Sequence, residues 1–210
     1  MTYFFDKSQQ TFLVEGIHTI PDTAIAVSDD DYQTIIDGRA NGCEIIVGKD
    51  NKLSLTTPKP SPAHKWSGKA WVLDKAKQAE LLAQQREQIR QAINAKRDQT
   101  DASGVFVTQI GKWVDSDDKA YQNILGVKAS LDLLGDMEID WTWADNTSST
   151  INRQTLAVIV GALLQAKQAN HANAIKHKES VMLVDNPLEY DYSTGWTQTY
   201  ADYVAEAGNE

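Results

Sequence analysis

Apolar residues follow two rhythms along this chain, and the rhythm changes near residue 73. Before that point they come in short clusters separated by turn formers. Tyr3-Phe4-Phe5 and Thr11-Phe12-Leu13-Val14 flank a polar run, Asp6 to Gln10, which predicts a hairpin with a four- or five-residue connection. Ile17 to Ile20 runs into Pro21-Asp22, a turn or edge signal. Ser28 followed by Asp29-Asp30-Asp31 predicts a helix start, because a serine oxygen accepts from first-turn amides and acids suit the positive end of the helix dipole. Tyr32, Ile35 and Ile36 share one face of that helix, which is expected to cover residues 29–37 and stop at Gly38. Residues 43–47 and 52–56 predict a second hairpin with its turn near Asp50-Asn51. Pro58, Pro60 and Pro62 make the next stretch extended and stiff. Trp66 to Trp71 is expected to be a short turn that closes this block.

Beyond residue 73 the rhythm becomes helical. Residues 74–97 lack glycine and proline and are rich in strong helix formers. At roughly 1.5 Å per residue they predict a helix of about 36 Å. Its apolar stripe is thin: Ala79, Leu82, Ile89 and Ile93, interrupted by Arg86. Two readings of the stripe stay open, a mostly solvated connecting helix and a self-association seam, since Leu82, Ile89 and Ile93 fall near heptad spacing. Residues 104–108 and 112–115 predict another hairpin. Ser116-Asp117-Asp118 then caps a helix over residues 119–134 that should bury Tyr121, Ile124, Leu125, Ala129 and Leu131 and end at Gly135-Asp136. From Met137 to Trp143 the chain alternates, so Ile139, Trp141 and Trp143 share one face of a half-buried strand. Asn152 caps a helix through Lys178, with Leu156, Ile159, Val160 and Leu163 at three- and four-residue intervals.

The expected fold class is α+β: a small β-rich N-terminal domain (residues 1–72), a long connecting helix (73–98), an α+β C-terminal domain with a hairpin and two helices (99–180), and an acidic aromatic tail (181–210). A length of 210 residues fits one or two domains. No 18-residue apolar run predicts a transmembrane helix. The N-terminus has neither a basic stretch nor a long apolar run, so a secretory signal is not expected. Cys43, the single cysteine, cannot form an internal disulfide and suits a reducing compartment.

Charge narrows the partners. The net charge is −9, and residues 179–210 carry seven acids with no lysine or arginine. A phosphate-seeking surface needs clustered positive charge, so nucleic acid is not an expected partner. The tail's Tyr190, Tyr192, Trp196, Tyr200 and Tyr203 argue against pure disorder. It is either a solvated extension or a docking arm.

Candidate chemistry is sparse. His171 and His177 are six apart on a predicted helix and cannot share a metal from one face; both read as surface histidines. Asp29-Asp30-Asp31 and Asp115-Ser116-Asp117-Asp118 lack the spaced ligands of a calcium loop and read as helix starts. Asp136, Glu138, Asp140 and Asp145 crowd the tryptophans in the manner of a sugar-cleaving site, but alternation puts Glu138 and Asp140 on the opposite face of the strand. Neither a metal nor a cofactor is expected. Asp145-Asn146-Thr147 reads two ways: as short polar side chains that shape the backbone before the next helix, or as polar neighbours of an aromatic contact anchor.

Residues 20–38 resemble the N-terminal region of bacteriophage tail fibre assembly proteins: Pro21, an alternating strand, Ser28 and Tyr32 at Ser-x-x-x-Tyr spacing, and a helix ending in Gly38. The hairpin of residues 42–55 and Pro58-Lys59-Pro60 fit the same pattern. The second block resembles an uncharacterised domain found at the C-terminal end of such proteins, through Lys96-Arg97-Asp98, Gly104-Val105, Trp113, Asp115-Ser116-Asp117, Trp141 and Asp145-Asn146. The resemblance spans residues 1–178 and leaves the acidic tail outside. It implies a non-enzymatic chaperone that binds the C-terminal region of a trimeric tail fibre in the bacterial host cytoplasm, promotes its folding and trimerisation, and in some phages stays at the virion's fibre tip. Contacts are expected at Trp66, Trp71, Trp141 and Trp143, with Asp145 and Asn146 beside them. No membrane partner is expected. Self-association would run through the 74–97 helix. The alternative is a structural adhesin module retained at the fibre tip and touching the host surface.

Overall fold

The short apolar clusters of the N-terminal part fold as strands in the computed structural model, which describes residues 1–208. β1 (Tyr3–Asp6) lies between β2 (Thr11–Val14) and β3 (Ile25–Val27), antiparallel to both. As the central strand it buries Phe5 completely. Asp6 closes the first turn by accepting from the amide and hydroxyl of Ser8, at 2.8 and 2.7 Å. α1 (Asp29–Ala40) starts where the capping argument puts it, with Ser28 Oγ accepting from the Asp31 amide at 3.1 Å. Its Tyr32 stacks on Tyr3 of β1, ring centroids 3.7 Å apart.

α1 does not stop at Gly38. It runs to Ala40, and Gly42, at φ +81°, takes the left-handed position. Gly42 and Cys43 then donate to the carbonyls of Arg39 and Gly38, each at 3.0 Å, which closes the last turn. Gly38 serves packing instead: a Cβ there would collide with the side chain of Leu55. Leu55 belongs to β5 (Leu53–Leu55), which pairs with β4 (Ile45–Val47). Residues 64–73 form a full hairpin of β6 (His64–Trp66) and β7 (Trp71–Leu73), more than the expected turn.

The chain divides into two compact units, Met1–Leu81 and a second from Leu82 onward. The division falls inside α2 (Lys75–Asp101), four residues longer at its C-terminal end than the predicted 74–97. In the second unit β8 (Val105–Val107) pairs with β9 (Lys112–Val114). α3 (Asp118–Leu134) is capped by Asp117, whose carboxylate accepts from the Ala120 amide at 2.7 Å. β10 (Ile139–Thr142) pairs with β11 (Ser148–Ile151), a strand the sequence pattern did not predict. α4 (Arg153–Ser180) starts at Asn152, which accepts from the Thr155 amide at 3.0 Å. Its first residue, Arg153, reaches back to the carboxylates of Asp136 and Asp132 and to the Leu131 carbonyl, at 2.5, 2.7 and 2.5 Å. That fork ties the end of α3 to the start of α4. Below them lies one core, built from Val107, Val114, Ile124, Leu131, Trp141, Trp143, Ile151, Leu156, Ile159 and Leu163.

Through residue 208 the acidic tail is not separate: apolar residues of its first part dock on the helices while its acids stay exposed. Residues 181–199 form a strap that runs over α2 and α4, and α5 (Tyr200–Ala207) follows it. Val181 is fully buried with Ile89, Ile93 and Ala174, and Val184, Tyr190, Tyr192 and Trp196 pack around them. The C-terminal half of α2 is therefore no solvated connector. A seam made of Ile89 and Ile93 already has an occupant within the chain, and self-association through it would have to displace the strap.

Candidate functional site

Trp66 and Trp71 face each other across the β6–β7 pair, ring centroids 5.4 Å apart and edge to face. Both are half-buried. Trp71 Nε1 donates to the Thr57 carbonyl at 2.8 Å, and Lys59 Nζ lies 5.3 Å from its ring. The proline-rich stretch thus braces the tryptophan hairpin, and Val72 and Leu73 beside it are exposed.

Trp141 and Trp143 lie elsewhere, in the core of the second unit, with 8% and 3% of their surface exposed. Alternation along β10 put them on one face as expected, but that face packs against α3 and α4 residues rather than presenting a contact surface. Trp143 Nε1 donates to Ser149 Oγ at 2.9 Å, and Trp141 Nε1 is buried without a partner. Asp145 and Asn146 form the β10–β11 turn. The Asp145 carboxylate accepts from the amide and hydroxyl of Thr147, at 2.9 and 2.6 Å, and pairs with Lys112 Nζ at 2.7 Å. Asn146 supplies the left-handed residue at φ 61°. The contacts within the turn are those of the backbone-shaping reading, and the Lys112 pair ties the turn to β9. The Lys112 ammonium, then Thr147, hold the Asp145 carboxyl down at about 2. The six sequence candidates are thus a cross-strand pair in the first unit and two core residues with a turn in the second.

Histidine chemistry also changes. His171 is exposed, but His177 is buried, contrary to the surface reading. Its Nε2 lies 3.0 Å from the Thr194 carbonyl oxygen, which can only accept, so Nε2 carries the proton. Nδ1 lies 2.8 Å from the Tyr190 hydroxyl, which can donate or accept. Buried Asn170 similarly donates to Asp101 and Thr197 and accepts from the Thr197 amide. Both side chains fasten the strap. Among the described residues no group of three or more His, Cys, Asp or Glu side chains is placed to hold a metal ion. Among the described residues no helix is long and apolar enough to cross a membrane.

The surface that sequence reasoning missed lies along α3 and α4. Tyr121, Leu125 and Ala129, all expected in the core, are exposed, as is Val160 of α4. Tyr121, Val160 and Leu164 wall an apolar groove of about 180 Å³ whose floor includes buried Ile124 and Leu163. Leu164 at the rim is 57% exposed. Lys167 Nζ sits 5.2 Å from the Tyr121 ring and marks one polar end. The available signal was width: both helices carry an apolar arc broader than their mutual packing covers.

No curated protein and no solved structure matches this chain. One family model does, described as a domain of unknown function, DUF4376, and its match covers residues 84–194. The matched stretch passes Lys178 and takes in the strap as far as Thr194, so that part of the tail, with Val181, Tyr190 and Tyr192, falls within the family's unit, while Trp196 and α5 lie beyond the match. It runs from the buried half of α2 through both hairpins, α3 and α4, and by this match over more than half its length the chain belongs to the DUF4376 family.

Proposed function

We propose that this chain is an assembly chaperone that works by surface complementarity toward a larger polypeptide, the C-terminal tip of a trimeric phage tail fibre, in the bacterial host cytoplasm and without cofactor or turnover. The observation that carries the protein-binding part is the open apolar groove walled by Tyr121, Val160 and Leu164 of α3 and α4, with Leu125 of α3 exposed as well. Adjacent exposed apolar residues over a groove mark interaction surfaces more often than single scattered ones do. The choice of a fibre as partner rests on the resemblance carried by residues 20–60 and 96–146. It is physically coherent. A β-rich trimer pairs strands distant in sequence, folds slowly, and exposes unpaired edges and apolar surface while it does so. A protein that covers such surface stoichiometrically raises the yield of correct trimer.

The test is co-expression with the C-terminal region of the fibre, followed by affinity capture and light scattering. A defined complex is the expected result, and failure to capture any fibre tip overturns the reading. Leu125→Glu combined with Leu164→Glu should abolish capture while changing unfolding free energy by no more than about 0.5 kcal/mol, as for other surface substitutions. Capture undiminished in that variant would remove the α3–α4 groove from the interface. Persistent association with mature virions would favour the adhesin role over a transient chaperone.

A further inference from the structure

A groove between α3 and β10, about 520 Å³ in volume, is bordered by all four β10 residues, Ile139, Asp140, Trp141 and Thr142. Successive strand side chains point to opposite faces. A cavity bordered by four in a row therefore meets the strand along its edge. The other edge of β10 is taken by β11. The turn tells which backbone groups serve which edge. Trp143 N donates to the Thr147 carbonyl at 2.9 Å, so those two residues form a hydrogen-bonded pair. Antiparallel alternation then makes Trp141 with Ser149, and Ile139 with Ile151, the bonded pairs of the ladder. Asp140 and Thr142 turn their N–H and C=O the opposite way, to the side on which Ala144 N, beyond the end of β10, donates to the Trp113 carbonyl of β9 at 3.1 Å. Among the described residues no strand pairs with that edge.

The opposite wall is built to leave room. Gly126 of α3 borders the groove, and a Cβ added there would meet nothing within 4 Å. Charge in the groove has one sign: Asp115 and Asp140 border it, and no lysine or arginine does. Burial, and then neighbouring Asp117, push the Asp115 carboxyl above its ordinary range, which is the response of a carboxylate short of a countercharge.

We propose that this edge receives an extended segment of a partner protein as an added β-strand, and that the segment places a lysine or arginine against Asp115 and Asp140. Main-chain pairing with Asp140 and Thr142 would supply two donors and two acceptors, and the carboxylates would select the side chain. The inference deepens the partner-binding reading by giving the form and charge of the bound element, and it rests on that reading for its biological partner.

The experiment uses the full chain and two synthetic probes, end-blocked hexapeptides alternating lysine, or glutamate, with valine and threonine. Amide hydrogen exchange is followed by NMR at peptide concentrations on the order of a millimolar, where weak strand addition is measurable. The lysine peptide should slow exchange at Asp140 and Thr142, and the glutamate peptide should not. Thr142→Pro removes one outward N–H without touching the β10–β11 ladder and should weaken binding at least tenfold, whereas Thr142→Val should not. Asp140→Lys leaves the backbone intact and should reverse the preference toward the glutamate peptide, so the proposal stays testable if the proline variant fails to fold. Unchanged exchange at both amides with either peptide would overturn it, as would wild-type binding by a folded Thr142→Pro variant. These probes contain no fibre sequence. Loss of fibre capture with edge binding intact would count against the fibre reading alone, and fibre capture with an inert edge against the strand-addition inference alone.

Discussion

At the scale of single residues, local chemistry decided most helix starts and one misreading. Lys112 and Thr147 hold the Asp145 carboxyl at about 2, below the ordinary aspartate value of about 4. A depressed folded value means that the contacts contribute stability above the unfolded pKa and lose it as pH falls through about 2. An NMR titration of the Asp145 carboxyl should show that low midpoint, and Lys112→Met should move it up toward the ordinary range. Ser28, Asn152 and the run Ser116-Asp117-Asp118, within which Asp117 caps, were legible because a cap needs only its own first turn. Gly38 was misread because its reason is not local. It gives way to Leu55, which is distant in sequence, and the real left-handed position falls to Gly42. Gly42→Ala should therefore destabilise the first unit by roughly 1–2 kcal/mol, the cost of placing an L side chain at positive φ. A urea titration followed through the Trp66–Trp71 near-ultraviolet signal would measure it.

At the scale of elements, periodicity found the first four of the five helices and three of the five hairpins outright, and misjudged what they face. The alternation of Ile139, Trp141 and Trp143 was visible, but alternation says which residues share a face, not whether that face meets core or partner. Burial decides it here. Trp141→Ala should cost about 3–5 kcal/mol through lost packing, measured by urea unfolding of the second unit. A loss of partner binding in that variant would report unfolding, not a lost contact. Tyr121, Leu125 and Val160 erred in the other direction, because an amphipathic pattern assigns every apolar residue inward while α3 and α4 have one another on only part of their arcs. β11 escaped notice because Ser148, Ser149 and Thr150 carry no apolar alternation; the strand exists through its turn and its partner β10.

At the scale of the whole molecule, the α+β class was legible from the change of rhythm near residue 73, and the fate of the tail was not. Acid-rich composition argued for solvation and five aromatics argued against it. The structure reconciles them by turning Tyr190, Tyr192 and Trp196 inward onto Ile89 and Ile93 while Asp185, Glu189 and Asp191 stay exposed. Ending the chain after Ser180 should strip that cover, giving a protein that binds a hydrophobic dye and unfolds without a sharp transition, both read in one thermal melt. The order of synthesis adds a consequence. Ile93 leaves the ribosome roughly 100 residues before Trp196, a wait of about 5–20 s at ordinary elongation rates. During that interval two nascent chains on one messenger could each lend the other its strap, so exchange-linked dimers should become more abundant as ribosomes crowd closer together.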